Sequence, residues 1–182
     1  LGQNDKALAA IEEARSSNPD DVGLIITAAN IYFELDNKEA FKLAMAEAIQ
    51  KDPNNPILYY NLGVVSGELG EKEVAESYYK KSIELDPNNE NSYLNLVALI
   101  LDGEQEIVNE MNNLGTSRAD NLRYDELKET REGLYRKCVP ILKELIALNN
   151  NTEAIRTLMN IYGTLGDNPG YVEMKNLLDQ QQ

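Results

Sequence analysis

Histidine is absent from all 182 residues, and with it the commonest general base, nucleophile activator and metal ligand. Cys138 is the single thiol. It stands on an apolar stripe without a His partner, which is the setting of a core cysteine and not of a nucleophile, and one cysteine excludes an intramolecular disulfide. Oxygen ligands gather at Asp52-Pro53-Asn54-Asn55 and Asp86-Pro87-Asn88-Asn89. Neither run has the alternation, central Gly or closing Glu of an EF-hand loop, and both read as a helix stop followed by a helix start. Glu12-Glu13 and Glu71/Glu73 read as exposed helix faces, with no carboxylate pair in an identifiable cleft. Gly63, Gly67 and Gly70 fall on a helix, away from any strand-to-helix turn, so they make no phosphate loop. No enzyme, cofactor or metal site is expected, and the search moves to the surface.

The net charge is −14, from 31 acidic against 17 basic residues. Phosphate recognition needs clustered Lys and Arg, so nucleic acid and anionic membrane surfaces are excluded as expected partners. The acid-rich surface keeps a helical protein soluble and would attract a basic partner. At 42% hydrophobic and 26% charged the composition is that of an ordinary folded protein. No stretch approaches the ~18–20 apolar residues that span a bilayer. The sequence opens Leu1-Gly2 without Met or a signal-peptide pattern, so it is expected to be an excised or processed piece. Cytoplasmic and periplasmic locations both stay open.

The elements that must position any surface site follow a period. Pro19, Pro53 and Pro87 stand 34 residues apart, twice in succession. A fixed period in the 20–50 range marks stacked supersecondary units. Residues 1–21 are half a unit: Ala7, Leu8, Ile11 and Ala14 make one stripe on a helix of roughly 5–17. Residues 22–55 make a full unit, with Ile25, Ala28, Ala29 and Tyr32 on its first helix. Asn37 is its cap, and Phe41, Ala44, Met45, Ala48 and Ile49 line its second helix. Residues 56–89 repeat the plan more cleanly. Asn55 caps, Pro56 takes the first helical position, Gly63 permits close helix approach and Gly70 ends the first helix. Ala75, Tyr78, Tyr79, Ser82 and Ile83 line the second.

The period then lapses. Residues 90–151 hold about 29 more than a unit needs. Leu96, Ile100, Ile107, Met111 and Leu114 continue one stripe, interrupted at Gly103-Glu104, while Leu127, Leu134, Cys138, Ile141, Leu145 and Leu148 make another. The two stripes, joined by residues 115–120, predict an antiparallel helical hairpin, with Pro140 kinking its returning helix. Residues 152–182 form a last unit with Ile155, Leu158, Met159 and Tyr162, then Tyr171, Met174, Leu177 and Leu178, inward.

The run Tyr59…Leu62-Gly63…Gly70…Ala75…Tyr79…Ser82…Pro87 resembles the tetratricopeptide repeat signature. It departs from it at Ser66, where an aromatic is usual, and at Phe41, a bulky group beside the expected small site. The enlarged unit with Cys138-Val139-Pro140-Ile141-Leu142 is similar to a bacterial lineage of that family. The resemblance implies an all-α fold, an α-α superhelix of antiparallel helix pairs with one enlarged helical hairpin, running as a single array over 1–182. It also implies a concave groove, lined by the first helices, that holds peptide segments. The positions expected to face it are Ile26, Asn30 and Phe33; Ile57, Tyr60 and Val64; Asn91, Leu94 and Ala98; and Arg156 and Asn160. Relatives that clamp chaperone tails use Lys, Arg and Asn, whereas only Arg156 is basic here, which argues against that ligand. Asn side chains suit peptide amides, Phe33 and Tyr60 suit an apolar anchor, and Asn61 and Asn95 are expected to bond internally. The resulting function is a non-catalytic scaffold binding a peptide or partner helix. The alternative is self-association through the protruding hairpin or the truncated N-terminal edge.

Overall fold

The computed structural model describes residues 2–181, which contain ten α-helices joined by short turns. They are α1 Gln3–Ser17, α2 Val22–Glu34, α3 Lys38–Lys51, α4 Pro56–Glu68, α5 Lys72–Leu85, α6 Glu90–Leu101, α7 Glu104–Asn113, α8 Arg118–Asn149, α9 Thr152–Leu165 and α10 Asn168–Asp179. They group into two compact units, one ending at Asn89 and the other beginning at Glu90.

In the first unit each helix packs on its neighbour in the chain, from α1 through α5. Local chemistry sets the boundaries. The Asn37 side chain accepts from the Ala40 amide at 3.1 Å and so starts α3, and Asn55 accepts from the Ile57 amide at 3.2 Å ahead of Pro56. These caps satisfy amide donors that a helix start leaves orphaned. Gly70, at φ 77°, lets the chain leave α4. Asp36 holds the matching place after α2 at φ 55° although it is not glycine, a conformation that Asp tolerates better than most residues. The core joins Ile25, Ala29, Phe41, Ala44, Met45, Ala48, Leu58, Leu62 and Val65. Gly63 sits beneath the Tyr79 ring, where an added Cβ would lie 2.7 Å from ring carbons, so this close approach requires glycine. The α1 stripe is shallower than expected. Leu8, Ile11 and Ala14 are half-buried and Ala7 is exposed, because α1 packs chiefly on α2.

In the second unit α6 packs on α8, α7 on α8, α8 on α9 and α9 on α10. The expected hairpin is present, and the interruption expected at Gly103-Glu104 divides its outgoing arm into two helices. Gly103, at φ 92°, breaks the stripe and starts α7. The turn is also shorter than residues 115–120. The Ser117 hydroxyl accepts from the Asp120 amide at 3.1 Å, and the Asp120 carboxylate accepts from the Ser117 amide at 3.0 Å. This capping box begins α8 inside the expected loop. Helix α8 continues through Pro140, whose missing N–H leaves the Arg136 carbonyl without its usual helical donor. Its buried side chains are Leu127, Tyr135, Cys138, Leu142, Leu145 and Ile146, and Leu148 is exposed. Tyr171, expected inward on α10, is 38% exposed.

Candidate functional site

Helices α2 and α4 present the side chains on which the first unit's site depends. The spacing that buries Ile25 and Ala29 turns Ile26, Asn30 and Phe33 toward another face of α2. Burial of Leu58, Leu62 and Val65 does the same for Ile57, Tyr60 and Val64 on α4. Four of these six line one cavity of about 290 Å³: Asn30, Phe33, Tyr60 and Val64, joined by Phe41, Asn61 and Val65. Ile26 packs against the core cluster instead, and Ile57 is exposed at 59% outside the cavity.

The cavity walls are aromatic. Phe33 meets Phe41 with ring centroids 5.7 Å apart, and Tyr60 meets Tyr79 at 6.2 Å, distances at which tilted rings attract. Phe41, the bulky departure from the repeat pattern, is therefore both core and wall. The Asn30 and Asn61 amides make no hydrogen bond among the described residues, so each offers two donors and an acceptor to a ligand. The expectation that Asn61 bonds internally is corrected. It lines the cavity, which leaves its amide outside the array's own bonding. Asn95, by contrast, is engaged.

In the second unit Asn91, Ala98, Arg156 and Asn160 are exposed and Leu94 is half-buried, with the first two and Leu94 on α6 and the others on α9. Asn160 lines a cavity of about 300 Å³ with Leu101, Glu104, Arg131, Tyr135 and Thr157. Here the chemistry is polar and internally paired. Glu104 accepts from Arg131 Nε at 2.8 Å and from the Tyr135 hydroxyl, and the Arg131 guanidinium lies 5.3 Å from the Tyr135 ring centroid. Burial first, then the bond to Glu104, pushes the Tyr135 hydroxyl up to about 12. It is a donor throughout the physiological range, holding α8 to α7. Sequence reading missed this cluster. Arg131 and Tyr135 are four apart and share a helix face, but nothing in the sequence says that Glu104 faces them.

Cys138 is fully buried, and burial, with the charge of Glu104, pushes its thiol up to about 12. It is a packing residue. Among the described residues no group of three or more His, Cys, Asp or Glu could hold a metal ion, and no helix is long and apolar enough to cross a membrane. The Asp-Pro-Asn-Asn runs use their oxygens locally: Asn55 donates to Asp52 at 3.0 Å, and the Asn88 amide to Asp86 at 3.0 Å.

Two family profiles, each described as a tetratricopeptide repeat, match residues 57–89 and 1–62. Residues 1–89 belong to the tetratricopeptide repeat family. No curated protein matches the chain in sequence. Among solved structures, a MamA protein is 16% identical with a TM-score of 0.63, covering 97% of this chain and 81% of its own. A Bacteroides ovatus protein, provisionally described as protein-binding, is 22% identical with a TM-score of 0.62 and 91% coverage of both chains. PilW, a type IV pilus biogenesis factor, is 19% identical with a TM-score of 0.50 over 97% of this chain and 85% of its own. At these identities the likeness establishes the fold. The described residues are all-α, of the α-α superhelix class built of helix pairs, with one pair enlarged by α7 and the first half of α8.

Proposed function

We propose that this protein is a non-catalytic protein-interaction scaffold whose first unit binds an extended peptide segment across α2 and α4. The observation that supports it most is the cavity at Phe33 and Tyr60: apolar walls beside two asparagine amides with no internal partner. An apolar anchor would enter between the rings while Asn30 and Asn61 bond the adjacent peptide backbone. Ile26 and Ile57 belong to the same reading as flanking contacts, and Asn91, Leu94, Ala98, Arg156 and Asn160 are proposed as peptide contacts of the second unit by itself. The Bacteroides ovatus protein's description, and the capture of Cut9 with Hcn1 in a hetero-tetramer at a TM-score of 0.52, are in keeping with a scaffold role. Phe33→Ala and Tyr60→Ala should each weaken partner capture at least about tenfold, as truncating a buried aromatic anchor does. Circular dichroism should show both variants still helical. Unchanged capture by the folded variants would remove this cavity as the binding site.

A second reading, self-association through the hairpin, is favoured by Leu122 and Tyr124, which are 59% and 44% exposed near the start of α8. Sedimentation over a concentration series tests it, and a monomer at every concentration argues against it.

A further inference from the structure

We infer that the segment held in the first unit's cavity carries one large apolar side chain flanked by lysine or arginine, an inference that rests on the peptide reading above. Helices α2 and α4 contain 13 residues each and no Lys or Arg; their only charges are Glu34 and Glu68, each the last residue of its helix. Helix C-termini add negative partial charge at the same ends. The third wall comes from α3, where Phe41 has Lys38 and Lys42 as near neighbours. Both are occupied: Lys38 lies 3.0 Å from Glu68, and Lys42 lies 2.6 Å from Glu71. Glu34 and Asp36 are exposed and form no ion pair among the described residues. Residues 1–89 as a whole carry 16 Asp and Glu against 8 Lys and Arg. An acidic ligand finds no available cation at this cavity and meets a repulsive field, whereas a basic one is drawn in.

The size of the cavity decides the anchor. About 290 Å³ lies at the lower edge of pockets that enclose whole small ligands, roughly 300–1,000 Å³. It holds one large side chain with its neighbours left outside. Those neighbours would lie beside Asn30 and Asn61, with Glu34 at the end of α2 as the exposed acid that attracts them. The anchor supplies affinity; the flanking cations supply association rate and the choice among apolar segments.

A random peptide library displayed on phage, panned against the full chain, tests this. Enriched sequences should share one aromatic or long aliphatic residue with an excess of Lys and Arg on either side. The consensus peptide, labelled and titrated by fluorescence anisotropy, should bind about tenfold more weakly when its basic residues become Glu, and more weakly as salt rises. Glu34→Lys, at an exposed position that leaves the fold alone, should weaken the basic peptide about two- to fivefold. If Phe33→Ala and Tyr60→Ala abolish binding but charge reversal has no effect, or the enriched peptides are neutral or acidic, the basic-segment inference falls and the cavity reading stands. If nothing is enriched, or binding ignores both alanine variants, the two fall together.

Discussion

Gly63 and Gly133 both lie inside continuous helices, yet the structure gives them opposite consequences. A Cβ at Gly63 would lie 2.7 Å from the Tyr79 ring, which is buried and in contact with Tyr60, whereas a Cβ at Gly133 in α8 meets nothing within 4 Å. Helix propensity favours Ala over Gly by about 1 kcal/mol at either site. Overpacking a tight core contact costs about 1–3 kcal/mol. At Gly63 the clash wins, so Gly63→Ala should destabilise by about 1–2 kcal/mol; at Gly133 only propensity remains, so Gly133→Ala should stabilise by about 0.5–1 kcal/mol. Urea unfolding of the two variants checks both signs. Phe33, Asn30, Tyr60 and Val64 were legible in the sequence because the repeat sets the phase of α2 and α4, and phase alone predicts which side faces out. Phe41 and Asn61 were not, since each combines a role in the array with a place in the cavity wall, and spacing assigns a residue to only one face.

Among the elements, α7 combines half-buried Ile107, Val108 and Met111 with a polar tie. None of its residues is buried, and its tie to α8 runs through Glu104, Arg131 and Tyr135, with Glu110 paired to Arg123 nearer the turn at 2.7 Å. Glu104→Gln removes the charge that Arg131 and Tyr135 share. Because the pair is about three-quarters buried, the loss should be about 1–2 kcal/mol, below that of a fully buried pair. It should appear as faster amide exchange in α7 while α9 and α10 keep their protection. Unchanged exchange in α7 would show that apolar contacts hold it. The insertion was visible in the sequence as a lapse of period with two stripes. Its division at Gly103 was visible too, as an interruption of the stripe at Gly103-Glu104, but the start of α8 inside residues 115–120 was not, because a loop-like run hid the Ser117–Asp120 capping box.

For the whole molecule the balance of charge governs the response to acid. Lys42 holds Glu71 below the ordinary carboxylate range, and Arg123, Arg136 and Lys51 do the same for Glu110, Glu129 and Asp20. Folding lowers these values, so the folded state releases protons that the unfolded state keeps. The stability they contribute is present above the ordinary carboxylate range and is lost as the pH falls through the depressed folded values. Each group is solvent-exposed, so each contribution is small and screened by salt. At neutral pH the opposite dependence holds: with a net charge of −14, added salt should relieve self-repulsion and raise the melting temperature. Thermal melts at pH 7 and pH 3 with and without salt check both arms, and a melting temperature insensitive to salt at pH 7 would count against the repulsion.

The bond from Tyr93 to Glu144 spans 51 positions, whereas the bond from Ser82 to Pro56 spans 26. Chain-closure entropy grows only with the logarithm of length, so this doubling costs about 0.6 kcal/mol, or about threefold in time. The added hairpin is thus nearly free at equilibrium but leaves a mark on the order of events. During synthesis the first unit emerges earlier and has only short spans to close, so it is formed and competent while α6 still waits for the far half of α8.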